Sequence, residues 1–335
     1  MRRLRPIVSK IREITITWCI WCLAALHVRR HYIRTIRHGA VPLAEASRIA
    51  VLVHFDRQGR FLRYQQYLVG ALEEAGFAVI IASNSPRIDQ ATLKQVLPRC
   101  AAVIHRRNVG LDFGAWRDAL GVIGDIASLE CLVIANDSVF GPLQDIAATL
   151  ERCDFADADV WGMTDSYDVR YHLQSYFLIF GPAALASDCF RDFWKRLRYI
   201  AHKRTVILLY EVGLSQALLK SGLRVKALFP YSQLVDAVLR QAVKGRPEGH
   251  ALGAAFFDTL LQNVNSGVPL NPTHYFWEYL ITSLSFPFLK RELVEKNPVA
   301  IPFVINWRNA LRESTDFPVE VIDEYLQTAA RNRIF

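Results

Sequence analysis

A chain of 335 residues, 52% hydrophobic and 21% charged, has the balance of a folded globular protein and not of a disordered tail. Its net charge of +8 is unevenly placed: nine of the forty Lys and Arg residues precede residue 39 against one acidic residue, Glu13, which leaves thirty-one of each sign beyond. A neutral body removes the case for a nucleic-acid groove, and six scattered cysteines form neither a disulfide framework nor a zinc set.

Residues 1–46 read as a basic leader around the apolar run Ile14–Val28. Fifteen helical residues reach about 22 Å, short of the roughly 30 Å hydrocarbon core. Arginines on both flanks and no small-residue cleavage site argue against a signal peptide. Trp18 and Trp21 suit a headgroup layer and the arginines suit anionic lipid, so the expectation is a helix lying on the inner face of the cytoplasmic membrane. The alternative is a helix packed on the body or on another subunit.

After a connector at 39–47 the chain alternates. RIAVLVHF is a buried strand, FLRYQQYLVGALEEAG an amphipathic helix closed by Gly76, and FAVIIASNS a second strand. A helix near 88–97 leads to the strand AAVIHR, followed by the loop RNVGLD and a helix from WRDAL. ECLVIANDS and DADVWGMTDS are further strands, HLQSYFLIFG a strand of mixed direction, FRDFWKRLRYIA a helix, Glu211 to Ser221 another, and RVKALF a last strand. This order predicts an α/β fold with a single, mostly parallel sheet flanked by helices over 47–235. Residues 236–335 turn helical and irregular, with breaks at Pro269, Pro272, Pro287, Pro298 and Pro302. Ligands of such sheets bind off the carboxyl ends of the strands, where HFD, SNS, RNVGLD, NDS and TDS collect.

In the stretch RRNVGLDFGAWRDAL, Asn108 and Asp112 offer hydrogen bonds, Gly110 and Gly114 admit a ligand near the backbone, Trp116 offers an aromatic wall, and Arg106, Arg107 and Arg117 can face phosphate. The competing reading is a capped helix start with Asp112 as N-cap and Trp116 in the core. Asn136, Asp137 and Ser138 stand where a carboxylate can hold a divalent ion against a diphosphate, or form a simple Asx turn. Glu211 and Asp165 compete as general base, and Glu211 would otherwise only favour a helix dipole. His274 is a late metal or phosphate ligand, or a core histidine.

Taken together, RNVGLDFGAWRDAL, LVIANDSVFGPL, DVWGMTDS, HLQSYFLIF, YEVGLSQALLKSG and NPTHYFWEYLI…FPFLKRELVEKNP resemble the rhamnan synthesis protein F family of bacterial glycosyltransferases, from about Ile49 to Pro298. The resemblance implies the A-type glycosyltransferase fold and a role in rhamnose-containing polysaccharide or lipopolysaccharide O-chains. It implies a nucleotide-diphosphate sugar, dTDP-rhamnose, as donor and a lipid-linked or growing glycan as acceptor. The donor would meet Asn108, Gly110, Asp112, Gly114, Trp116, Arg117, Asn136, Asp137 and Ser138, and the acceptor Gln174, Ser175, His274 and Trp277. Glu211 matches the catalytic base of inverting A-type enzymes, with Asp165 as its rival. Asp137 and His274 are the candidate ligands of a divalent cation, Mg or Mn. The Asp-x-Asp motif usual at this position lacks one Asp here, which leaves metal dependence open and allows a second reading, a non-catalytic nucleotide-sugar-binding or scaffold component of an assembly complex.

Overall fold

The computed structural model describes residues 15–25, 31–245 and 251–334. The strands are β1 (Ile33–His38), β2 (Arg48–His54), β3 (Ala78–Ser83), β4 (Ala102–Arg106), β5 (Cys131–Asn136), β6 (Val139–Phe140), β7 (Val160–Ser166), β8 (His172–Leu173), β9 (Phe177–Phe180), β10 (Val225–Phe229) and β11 (Leu289–Lys290). Nine of them form one sheet in the order β1-β4-β3-β2-β5-β9-β7-β10, with β8 on β7. Strands β4, β3, β2, β5, β7 and β10 run parallel, while β1 and β9 run against their neighbours. The expected mixed direction of HLQSYFLIF is therefore the reversal of β9.

Both faces of the sheet are covered, so its central strands are apolar on both sides. Along β2, Ala50 and Leu52 enter one cluster with Leu68, Leu72, Leu93 and Leu234. Ile49, Val51 and Val53 enter the other, with Trp116, Phe113, Phe190 and Leu214. A third cluster, around Phe140, Trp277, Leu293, Trp307 and Ile322, packs the C-terminal helices against the end of the sheet. It is joined by a two-stranded ladder in which β11 pairs antiparallel with β6.

Several expectations change. β1 lies inside the span 1–46 assigned to the leader, so the sheet begins before residue 47. Its charged alternation IRTIRH, which reads as a basic leader, is the half-exposed pattern of an edge strand. Residues 15–24 are helical. Trp18 and Leu23 are 65% and 63% exposed, whereas Ala24 is buried and the Arg198 guanidinium lies 3.5 Å from the Trp21 ring. Among the described residues no helix is long and apolar enough to cross a membrane. The leader residues 1–14 and 26–30, Arg29 and Arg30 included, lie outside the described residues.

The RNVGLD loop is built around Arg106. Its side chain is 0% exposed and donates through Nε to Asp118 Oδ2 at 2.8 Å, through Nη2 to Val109 O at 2.7 Å, and through Nη1 to Asn84 Oδ1. Asp118 also accepts from Tyr32 N at 3.0 Å and from the Tyr199 hydroxyl. Removing one partner of a buried pair leaves an uncompensated charge, which costs about 3–5 kcal/mol. Asp118→Asn should therefore lower the urea midpoint strongly, and Arg106→Met with Asp118→Leu should recover part of the loss. Equal midpoints for Asp118→Asn and the parent chain would show that the pair does not hold the loop.

Candidate functional site

The order of strands reverses between β2 and β5, and this is where open α/β sheets bind ligands. The carboxyl end of β5 delivers Asn136, Asp137 and Ser138 there, and the helix Leu111–Leu120 delivers Asp112 in its first turn. Asn136 Nδ2 donates to Asp112 Oδ2 at 2.9 Å, and Asn136 Oδ1 accepts from Ser138 N at 3.1 Å and from the Ser138 hydroxyl. Burial first, and then the charge of Asp137, push the Asp112 carboxyl up to about 6.

The β6–β11 ladder brings in two residues with no place in the sequence reading. β11 sets Lys290 opposite Val139, and Arg291 N donates to Ser138 O at 3.0 Å. Lys290 Nζ donates to Ser138 Oγ at 3.0 Å and stands 4.9 Å from the centre of the Tyr176 ring. Arg291 Nη1 lies 3.3 Å from Asp137 Oδ2 and 2.8 Å from the Tyr64 hydroxyl. Asp137 also accepts from Phe55 N at 3.2 Å and Gln65 Nε2 at 3.3 Å. Burial, opposed by the charge of Glu211, brings the Lys290 ammonium down to about 8.

Glu211 does not open a helix. It closes a π-helical turn, Ile207–Glu211, inside a helical run that continues to Lys220, and such turns re-aim a side chain without ending a helix. Its carboxylate accepts from Ser175 N at 3.1 Å and from the Ser175 hydroxyl, and Oε1 faces His172 Nε2 at 3.6 Å. His172 Nδ1 is 2.8 Å from Arg170 O, a group that only accepts, so Nδ1 carries the proton. Burial favours the protonated acid, yet the His172 and Ser175 hydrogen bonds outweigh it and hold Glu211 below the usual carboxylate range. The same contact with Glu211 lifts His172 despite its burial.

Other candidates are placed differently. Trp116 is 0% exposed and its Nε1 donates to Ala135 O at 3.1 Å, so it forms no aromatic wall, whereas Trp277, buried in the C-terminal cluster, lines a cavity with Phe256, Tyr275 and Phe303. Gly110 is the left-handed N-cap of the helix in place of Asp112, and a Cβ there would lie 2.8 Å from the Tyr199 ring. At Gly114 a Cβ would lie 2.6 Å from Val109 O, so both glycines serve loop packing. Arg106 is spent on the loop, and Arg117 lies over the Tyr199 ring at 4.7 Å in a cleft with Ile33, Leu185 and Lys195. Asn108 and Arg107 are exposed. Asp165 accepts from Tyr231 N at 2.6 Å, which holds the start of the helix Tyr231–Lys244, and Gln174 accepts from Thr164 Oγ1 at 2.7 Å. His274 is 7% exposed, its Nε2 has no hydrogen-bond partner, and burial followed by the Lys290 charge brings it down to about 4.

Among the described residues no all-protein cage for a divalent cation is formed: no three His, Cys, Asp or Glu side chains converge, and Asp137 Oδ2 already meets Arg291. His274 and Asp137 share no recorded contact.

A mostly parallel sheet with charged side chains gathered at its switch point defines an α/β protein of the open-sheet, edge-binding class. Residues 79–244 match the family model of rhamnan synthesis protein F. The chain is 29% identical over 269 residues to the virulence protein VirA of Vibrio anguillarum, covering 79% of this chain and 81% of that one. To the uncharacterized protein y4gN of Sinorhizobium fredii it is 26% identical over 212 residues, 61% of this chain and 53% of that one. Among solved structures it is similar to the glycosyltransferase GlyE of Streptococcus pneumoniae, with TM-score 0.38, 11% identity, and 85% of this chain covered. The bifunctional glycosyltransferase WbbM gives TM-score 0.33, 12% identity and 57% coverage. The chain spans 64% of the GlyE structure and 40% of the WbbM structure.

Because the Asp112 pKa lies above its ordinary 3.8, its preference for the protonated form stabilises the fold below that value. The contribution is lost as pH rises through about 6. Asp112→Asn keeps an acceptor for Asn136 without the charge. It should melt about 2 °C or more above the parent at pH 8, with the gap closing below pH 4. Identical melting curves across this range would show that the ionised carboxylate carries no cost.

Proposed function

We propose that the protein is a glycosyltransferase of cell-surface polysaccharide synthesis, moving a sugar from a nucleotide diphosphate to a glycan hydroxyl. The observation that carries this reading is that Glu211, hydrogen-bonded to Ser175, and Lys290, lying 4.9 Å from the ring of the next residue Tyr176, come to the same rim of the sheet. The match of residues 79–244 to the rhamnan synthesis protein F model supports the same assignment.

Glu211 takes the proton of the acceptor hydroxyl. The acceptor oxygen bonds to the anomeric carbon as the bond from that carbon to the phosphate oxygen breaks, and its electron pair leaves with the diphosphate. A single displacement inverts the centre. Ser175 and His172 hold the carboxylate in place, and Asp112 and Asn136 offer acceptors and donors for sugar hydroxyls. The finer reading takes dTDP-rhamnose as donor and a lipid-linked or growing chain as acceptor, at the inner face of the cytoplasmic membrane. There the exposed Trp18 and Leu23 of the helix at 15–24 enter the headgroup layer.

Glu211→Gln should leave donor binding nearly intact while lowering release of nucleoside diphosphate about 10²-fold or more. Full activity in that variant would move the base elsewhere, and donor binding without release in every donor–acceptor pair would favour the scaffold reading. Exposed side chains can be changed without disturbing the core, so Trp18→Ser with Leu23→Ser should reduce sedimentation with anionic vesicles at an unchanged melting temperature. Undiminished sedimentation would remove this helix from the membrane contact.

A further inference from the structure

The Asp137 carboxylate already has a cation beside it. Its Oδ2 accepts from Phe55 N and Gln65 and lies 3.3 Å from Arg291 Nη1, and the Asn136 amide is shared between Asp112 and Ser138. A divalent ion bound at Oδ2 would stand within a few ångströms of the guanidinium that occupies the same oxygen, and like charges at that distance repel strongly where water is excluded.

The donors beside them are uncommitted. The Lys290 ammonium has three N–H groups, and Ser138 Oγ is its hydrogen-bond acceptor among the described residues. His274 Nε2 is buried without a partner, and a buried polar atom left unpaired is costly unless a ligand or water completes it. The helix Pro272–Tyr275, which carries His274, packs against the strand Leu289–Lys290, and the charges of Lys290 and Lys203 both act on His274. Open donors and cationic charge, with one neutral imidazole between them, suit an anion and repel a metal.

We infer that Lys290, with the Nε2–H tautomer of His274, holds the diphosphate of the donor and takes up the charge of the leaving group in place of a divalent cation. The inference rests on the glycosyl-transfer reading for the identity of the anion. Lys290 forms no covalent bond: its ammonium meets the phosphate oxygens as negative charge accumulates there, while Glu211 keeps the acceptor proton. Arg291 is a positioning residue, fixing Asp137 and the backbone of Ser138 so that the Ser138 hydroxyl stays on Lys290.

The test is calorimetric titration of the full chain with inorganic pyrophosphate in EDTA. Binding is expected in EDTA and should weaken about tenfold or more in Lys290→Gln, which keeps a donor for Ser138. His274→Phe should weaken it by a smaller factor, and Lys290→Arg should retain most of it. Thermal melts of all three variants separate lost binding from lost folding, and Lys290→Met serves if the Gln variant does not fold. Pyrophosphate binding that is absent in EDTA, that returns only with Mn²⁺, or that folded Lys290→Gln and Lys290→Met leave unchanged overturns the inference. Binding through Lys290 in a protein that transfers no sugar would sink the glycosyl-transfer reading and leave the anion site standing.

Discussion

A guanidinium with no exposure to water fixes the geometry of the candidate site. Arg106 ends β4, yet its donors reach the end of β3 through Asn84, the loop through Val109 and the following helix through Asp118. Asp118 in turn gathers the chain just before β1 and the segment after the helix Asp188–Arg196 through Tyr32 and Tyr199. An ion taken out of water is tolerated only when its partners are nearly complete, so these segments can meet in few other ways. The loop that follows is thereby held in one shape, and Asp112, six residues before Asp118 on the same helix, is set against Asn136. The polar richness of RRNVGLDFGAWRD is thus largely architectural, and ligand chemistry falls to one residue of it.

Convergence from the far end of the chain uses a second device. The β6–β11 ladder is only two residues long on each side, too short to be stable by itself. It stands because Phe140 and Leu289 are buried in the third cluster with Trp277 and Leu293. Packing of the C-terminal helices therefore sets the position of Lys290 and Arg291 at the rim. The C-terminal segment in this sense helps to build the candidate site.

The parallel strands were legible because fully buried strands leave continuous apolar runs with polar residues at their carboxyl ends. β2, β3, β4, β5 and β7 follow that pattern, and Asn136 and Asp137 with it. What remained hidden lacks a local signature. β1 carries arginines where an edge strand meets water. The π turn before Glu211 is a one-residue change in hydrogen bonding within an ordinary-looking helical sequence. Lys290 and Arg291 follow the apolar stretch FPFL, and nothing near them in sequence tells that they meet residues 137 and 138. Trp116, Gly110 and Gly114 misled in the opposite direction, because aromatic and glycine residues serve close packing as readily as they serve ligands.

The rim holds its charges in an unequal state, and this bears on how a ligand would act on the protein. Asp137 is neutralised within the fold by Arg291, and Glu211 by hydrogen bonds from Ser175 and His172. Asp112 and Lys290 are not balanced in this way: burial drives one toward its protonated acid and the other toward its free amine. Each is the cost of keeping an ionisable group away from water without a full partner. An anion settling on Lys290 would supply that partner and favour the ammonium, so binding and proton uptake are coupled, and the fold gains stability as the logarithm of one plus the ratio of free ligand concentration to Kd. The groups least satisfied at the rim are therefore those with most to gain from a ligand, whereas Arg106, fully buried and with a partner on each of its three nitrogens, has little left to offer one.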